Sequence, residues 1–281
     1  RRARRRRARS DEVSPVNYIT FLTDFGLQDD FVGTCHGVMA RIAPEARVID
    51  VTHGIPPQAI LQGALVLRST TKYMPVGVHL AVVDPGVGGH RRPLAVRTSD
   101  GRCFVGPDNG LLMLAADELG VDAAHELVDE RYRLPDVSRT FHARDVFAPA
   151  AAHLAAGVSI DQLGPTIDPS ELVRVAVPDP GVGKSQISAT VVGVDRFGNV
   201  ATNMRSDHVA SLGVVRGDRV EVRLTFERYY AILADTFADA EPGELILYED
   251  SYGLVTLAIS NGNAARLTGV GPGDELRIAV T

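Results

Sequence analysis

Along the first half of the chain, short apolar runs alternate with segments whose apolar residues recur at helical spacing. Tyr18–Leu22 is β-prone and ends at Thr23-Asp24-Phe25-Gly26. Residues 29–43 bring Phe31, Val32, Cys35, Val38, Met39 and Ile42 near one face, which predicts a helix with Asp29 and Asp30 suited to its N-terminus. Further strands are expected at Arg47–Val51, Val78–Val83, Leu94–Thr98 and Cys103–Gly106. The continuous apolar run of Val78–Val83 suits a strand buried on both faces. Helices are expected around Gln58–Thr70, Gly110–Leu119 and Val146–Ala156. This rhythm predicts an α/β fold with a mostly parallel sheet and helices on both faces.

The pattern changes after about residue 177. Val177–Gly183 is rich in turn formers. Beyond it, β-prone runs at Ile187–Val194, Arg219–Leu224, Leu245–Tyr248, Leu254–Ile259 and Glu275–Val280 are separated by turn signals. The expected organisation is an N-terminal α/β domain over 17–177, a linker over 178–185, and a smaller, mainly β C-terminal domain over 186–281.

Composition adds little to this picture and removes several options. The chain has 281 residues, 45% hydrophobic and 23% charged, ordinary for a globular protein, and no apolar run of membrane-spanning length. Seven arginines fall within residues 1–10, so the net charge of −6 conceals a strongly acidic body. Residues 1–16 are expected to be a disordered Arg-rich tail, and the acidic body argues against nucleic acid as the main partner. Cys35 and Cys103 form no metal-type pair and read as small core residues of a cytoplasmic protein. Asp-Pro-Gly-Val-Gly occurs at 84–88 and again at 179–183, followed there by Lys184-Ser185. A phosphate loop needs glycine where Pro178 stands, so ATP binding is not supported.

Ligands of open α/β sheets bind beyond the carboxyl ends of strands, where Asp24, Asp50 and Asp84 lie. Turn capping explains any one of them; adjacent glycines at Asp24 and Asp84 also suit close approach to a ligand. Asp84 and Arg91 are joined by a glycine-rich turn and can fold back to face one another, either as a loop salt bridge or as a pair that polarises water. His142, just before a helix and among polar neighbours, is the next candidate, or a hydrogen-bonded loop residue. A metal centre on Asp24, Asp50, His53 and Asp84 lacks recognised ligand spacing.

Six segments carry a resemblance when taken in order: Ile19–Gly26, Asp50–His53, Val83–Gly88, Pro107–Gly110, Thr140–Asp145 and Val194–Asn203. Together they resemble the SAM hydroxide adenosyltransferases, which hydrolyse S-adenosyl-L-methionine (SAM) to adenosine and L-methionine and are sisters of the SAM-dependent chlorinases and fluorinases. The resemblance covers residues 17–281. It implies a catalytic set of Asp84, Arg91 and His142 that activates water, with no metal and no cofactor, SAM being the substrate. It places Asp24 on the ribose hydroxyls, and Asp195 and Asn199 at the methionine end. Phe141, Phe197 and Phe237 would supply apolar or stacking surface, Phe237 to adenine, with Ser251 and the backbone near Asn261 at the adenine edge. It further implies a homotrimer with active sites at subunit interfaces. In the halogenating relatives Asp84 and His142 are replaced. A carboxylate beside the attacked carbon repels a halide and orients a neutral water, so Asp84 is the discriminating residue. The fluorinases also carry a long insertion in the loops after the Asp84 region, with no counterpart visible here, and the halogenases carry an arginine in the stretch aligned with Ile259–Asn261, where this chain has Ile259.

Overall fold

The computed structural model describes residues 17–224 and 227–281, which leaves the expected Arg-rich tail outside the described residues. The chain divides into two compact units, one comprising the residues up to Gln58 with Thr70–Val173, the other Ala59–Ser69 with Arg174–Thr281.

The first unit holds a six-stranded sheet: β1 (Tyr18–Thr23), β2 (Arg47–Thr52), β3 (Val78–Val82), β4 (Pro93–Thr98), β5 (Cys103–Pro107) and β6 (Val121–Glu126), in the spatial order β2-β1-β3-β5-β4-β6. The pairs β1–β2, β1–β3 and β3–β5 are parallel, so the sheet is mixed with a parallel majority. Strand β4 is antiparallel to both its neighbours, β5 and the edge strand β6; only residues 99–102 separate β4 from β5, too few for a parallel crossover. Ile19, Phe21, Val78, Leu80 and Val105 point into a core shared with α1 (Phe31–Ile42) and α4 (Ala148–Ala155). The opposite face carries Thr20, His79 and Phe104. Leu112, at the entry to α3 (Met113–Leu119), lies where a side chain at Gly106 would project. The chain leaves β1 toward β2 on one side and returns to β3 on the other. The order therefore reverses between β1 and β3, where such sheets open a ligand crevice.

The second unit is mainly β. Its strands are β7 (Gly181–Val182), β8 (Gln186–Val194), β9 (Val200–Thr202), β10 (Arg219–Arg223), β11 (Arg228–Leu233), β12 (Leu245–Glu249), β13 (Val255–Ile259) and β14 (Glu275–Val280). They follow the order β14-β10-β11-β12-β13-β9-β8-β7, and β14 also pairs with β8, which closes the sheet into a barrel. Alternate residues such as Ile187, Val191, Val220, Val222, Leu245, Leu247, Leu257, Leu276 and Ile278 fill its core. Helix α2 (Ile60–Thr71), inside the expected N-terminal domain, groups with this unit for most of its length. The Gln62 amide donates to Val194 O at 3.3 Å, and its side chain packs on Gly193, where a Cβ would come within 3.4 Å. Short helices α5 (Ser206–Ala210) and α6 (Ala264–Thr268) complete the unit. Among the described residues, no helix is long and apolar enough to cross a membrane.

Candidate active site

Asp24 follows β1 and Asp84 follows β3, so the two carboxylates stand at the strand ends that flank the reversal of strand order. The loop from Asp84 to Arg92 is held at both ends by Pro107-Asp-Asn-Gly110. Asn109 Nδ2 donates to Val83 O at 2.8 Å, and Arg92 Nε donates to Asp108 Oδ2 at 2.8 Å. In the middle of the loop Gly88 has φ +73°, and a Cβ there would lie 2.2 Å from Arg139 O. Only glycine allows that approach, which brings the loop against the segment carrying Phe141 and His142.

The result is one hydrogen-bonded chain. Arg91 Nε donates to both Asp84 oxygens at 3.0 Å, and Nη2 donates to Asp84 Oδ2 at 2.5 Å. The same Nη2 lies 2.9 Å from His142 Nδ1. The Asp84 and Arg91 side chains are 6% and 9% exposed, so this charge-assisted pair is shielded from water, and loss of either partner would leave a buried charge unpaired. The Arg91 guanidinium also lies 5.2 Å from the Phe147 ring centre. Because a guanidinium only donates, His142 Nδ1 must accept, which puts the proton of the neutral ring on Nε2. Partial burial and the Arg91 charge both hold the His142 pKa below the ordinary histidine value, keeping the ring neutral. Below His142, a π-helical turn over Ala143–Phe147 leads into α4. Asp145, fully buried, accepts from Ser138 N at 2.8 Å and pairs with Arg144, which fixes the turn.

Phe141 is not a simple core residue. Its ring meets Phe31 at 5.2 Å and Phe25 at 6.1 Å, both edge-on, and Arg144 lies 4.9 Å above it. Phe25 and Phe31, for which the sequence alone suggests no substrate role, join it in an aromatic cluster next to Asp24 in the chain. Asp24 Oδ2 accepts from Gln58 N at 2.9 Å, a bond that ties two loops together and is made with Gln58 at positive φ.

The second unit gathers most of the other candidates. Asp195 and Asn199 sit in the β8–β9 turn, where Asp195 Oδ1 accepts from Phe197 N and Asn199 N, and Oδ2 accepts from Asn199 Nδ2 at 2.7 Å. This Asx-type turn leaves the Phe197 ring 69% exposed, and Phe237 is 41% exposed, which removes the core-packing reading for both. Phe237 lies 5.0 Å from the Tyr248 ring and occupies a turn fixed by Thr236 and Asp239. Its carbonyl accepts from Ser260 Oγ at 3.1 Å. Asp195, Phe197, Asn199, Phe237 and Asn261 line one cavity of ≈ 760 Å³. Ser251 is not among them; it lines a neighbouring cavity of ≈ 430 Å³ with Tyr248, Tyr252 and Thr256, which shares Asp195 and Asn199.

Comparison with known proteins identifies relatives of the whole chain. Residues 19–164 match the family model for the SAM hydroxide adenosyltransferase N-terminal domain, and residues 189–277 match that for its C-terminal domain. The chain is 48% identical to an (R)-S-adenosyl-L-methionine hydrolase from Salinispora tropica, over 95% of this chain and 99% of that one. It is 31% identical to a fluorinase from Actinopolyspora mzabensis, over 89% of this chain and 91% of the other. Among solved structures, an uncharacterized conserved protein from Thermotoga maritima matches with a TM-score of 0.85 at 36% identity, covering 93% of this chain and 99% of that one.

Proposed function

The chain belongs to the SAM hydroxide adenosyltransferase family, and from that premise we propose that it hydrolyses SAM to adenosine and L-methionine by in-line attack of water on the ribose C5′. The observation that carries this reading is the hydrogen-bonded Asp84–Arg91–His142 chain, whose ion pair is buried. Methionine leaves SAM from a sulfonium as a neutral thioether, so the leaving group needs neither a general acid nor a metal. What remains is to place an oxygen nucleophile opposite the C5′–S bond and keep bulk water out. The His142 Nε2–H donates to that oxygen and sets its position. Asp84 has about four acceptor sites, of which Arg91 takes three, and the remaining one accepts a proton from the water as the C–O bond forms. Arg91 keeps the pair of carboxylate and imidazole in register and stabilises negative charge developing on oxygen.

Asp24 receives the ribose hydroxyls, with Phe141 on the apolar side of the sugar. Asn199, ordered by Asp195, meets the amino-acid end, and Phe237 stacks on adenine with Phe197, Ser251 and the Asn261 backbone at the rim. We further infer a homotrimer in which Asp24, Asp84 and His142 of one subunit face Asn199 and Phe237 of the next; the family resemblance supports this arrangement.

Incubation with SAM in ¹⁸O-labelled water, followed by chromatography and mass spectrometry, tests the reaction. Adenosine labelled at its 5′-oxygen, released one-for-one with methionine and insensitive to chelator, is the expected result. Unlabelled adenosine, or 5′-chloro-5′-deoxyadenosine when chloride is added, defeats the proposal. Binding of SAM without turnover would assign the chain to a sensor instead.

A further inference from the structure

We propose that His36, Asp50 and His53 form a binding site for one divalent transition-metal ion of the zinc type, a site that the hydrolytic reaction does not use. His36 lies on α1, Asp50 on β2, and His53 just beyond β2. One ligand atom from each falls within 4.8 Å of those from the other two. His36 Nε2 and His53 Nε2 lie 2.8 and 3.1 Å from the same oxygen, Asp50 Oδ1. Four-coordinate zinc holds nitrogen and oxygen ligands at about 2.0–2.2 Å, which places ligand atoms about 3.3 Å apart, a few tenths from the two nitrogen–oxygen spacings here.

A carboxylate between two imidazoles is by itself an ordinary hydrogen-bonded trio. The His53 ring separates the two readings. Its side chain is 3% exposed, yet its Nε2 has no hydrogen-bond partner among the described residues despite lying 3.1 Å from Asp50. A buried imidazole nitrogen aimed at a carboxylate without meeting it in hydrogen-bond geometry is suited to a shared cation. The other ring nitrogen, Nδ1, lies 2.8 Å from Thr23 Oγ1. When Nδ1–H donates to that hydroxyl, Nε2 carries the lone pair that a metal requires, the usual outer-shell support of a ligating histidine. Two imidazoles and one carboxylate favour zinc-class ions over magnesium or calcium, which prefer all-oxygen sets. His36 and Asp50, 35% and 42% exposed, leave the ion a route from solvent and room for water as a fourth ligand.

The ion would brace one turn of the fold. His53 O accepts from Gly26 N at 2.8 Å, and Thr23 Oγ1 accepts from Phe25 N at 3.2 Å, so His53 already holds both sides of Asp24. Metal at His53 would stiffen that turn without touching the reacting atoms.

Chelator-stripped protein titrated with Zn²⁺ against a chromophoric competitor tests the site. One saturable equivalent is expected in the unmodified chain. His36→Ala and Asp50→Asn, at partly exposed positions that leave the core intact, should each lower Zn²⁺ affinity by more than the about 10–100-fold that loss of an outer-shell partner costs. Circular dichroism of the unmetallated variants verifies that they fold. No saturable equivalent in the unmodified chain, or a loss of less than about tenfold in either variant, overturns the proposal. The readout is metal affinity alone, so failure of the hydrolytic assignment would leave this result intact.

Discussion

Arg91 meets three demands with one planar group: both oxygens of Asp84, the Nδ1 of His142, and the ring of Phe147. A lysine ammonium is a point donor on a flexible stem and cannot reproduce that fork. Arg91→Lys should therefore lower kcat by about 10²–10³, the scale of losing one preorganised charge-stabilising donor. SAM affinity should change little; a variant that loses affinity and keeps kcat would move Arg91 from the catalytic set to the binding set. Protonating His142 removes the lone pair that Arg91 Nη2 uses and sets a second cation beside it. The ring's pKa is held down by burial first and Arg91 second, so turnover should persist on the acid side of the ordinary histidine value of about 6.5 and fall only at lower pH. The kcat–pH profile checks this, since an acid limb at or above the ordinary value would show that His142 is not neutral by design. For Asp84 itself, Asn is the informative replacement. Alanine would strand a buried guanidinium at a cost of about 3–5 kcal/mol and confuse stability with chemistry.

At the level of elements, the loop from Asp84 to Arg92 works because Gly88 passes against the backbone of Arg139. Gly88→Ala should cost about 1–3 kcal/mol for an alanine at positive φ and pull Arg91 away from His142. Chemical denaturation should register the first effect and kcat the second; an alanine variant with full activity would mean the close approach is dispensable. The same loop shows what the sequence makes legible. Asp84 and Arg91 lie seven positions apart around a glycine-rich turn, so their pairing is readable from the chain. Their link to His142 depends on a fold-back of 51 residues, and its assignment came through the family resemblance. Asp50 and His53, three positions apart, are readable as a possible ligand pair, whereas His36 is not, because a helix brings it to them with no shared spacing. Strands β1, β3, β5 and β8 stand out as β-prone runs with few charges. The overlooked β6 carries Asp122, His125 and Glu126 as an edge strand, and β9 is only three residues long, so neither has the hydrophobic period that marks a strand. The expectation of a mostly parallel sheet holds for four strands and stops at β4, where the short connection to β5 dictates a hairpin.

At the scale of the whole molecule, the proposed trimer has a consequence that single-site kinetics cannot reach. If each site takes Asp84 from one subunit and Asn199 from the next, inactive Asp84→Asn and Asn199→Ala chains mixed in equal amounts and reassembled should regain about a quarter of the wild-type sites, as random closed-ring assembly requires. Activity assays on the remixed sample decide it: silence means that each chain builds its site alone. A final consequence lies in the double pairing of β14, which is bound to β10 on one side and β8 on the other. On the ribosome the chain emerges N-terminus first, and domains fold as their residues become available. The six-stranded sheet has all its strands by Glu126, whereas the barrel lacks its closing strand until Glu275 and beyond have been synthesised. Stalled nascent chains that stop short of that strand should already resist protease across the first sheet, yet stay cleavable throughout the barrel segment. Birth order, in this protein, separates the first sheet from the barrel in time.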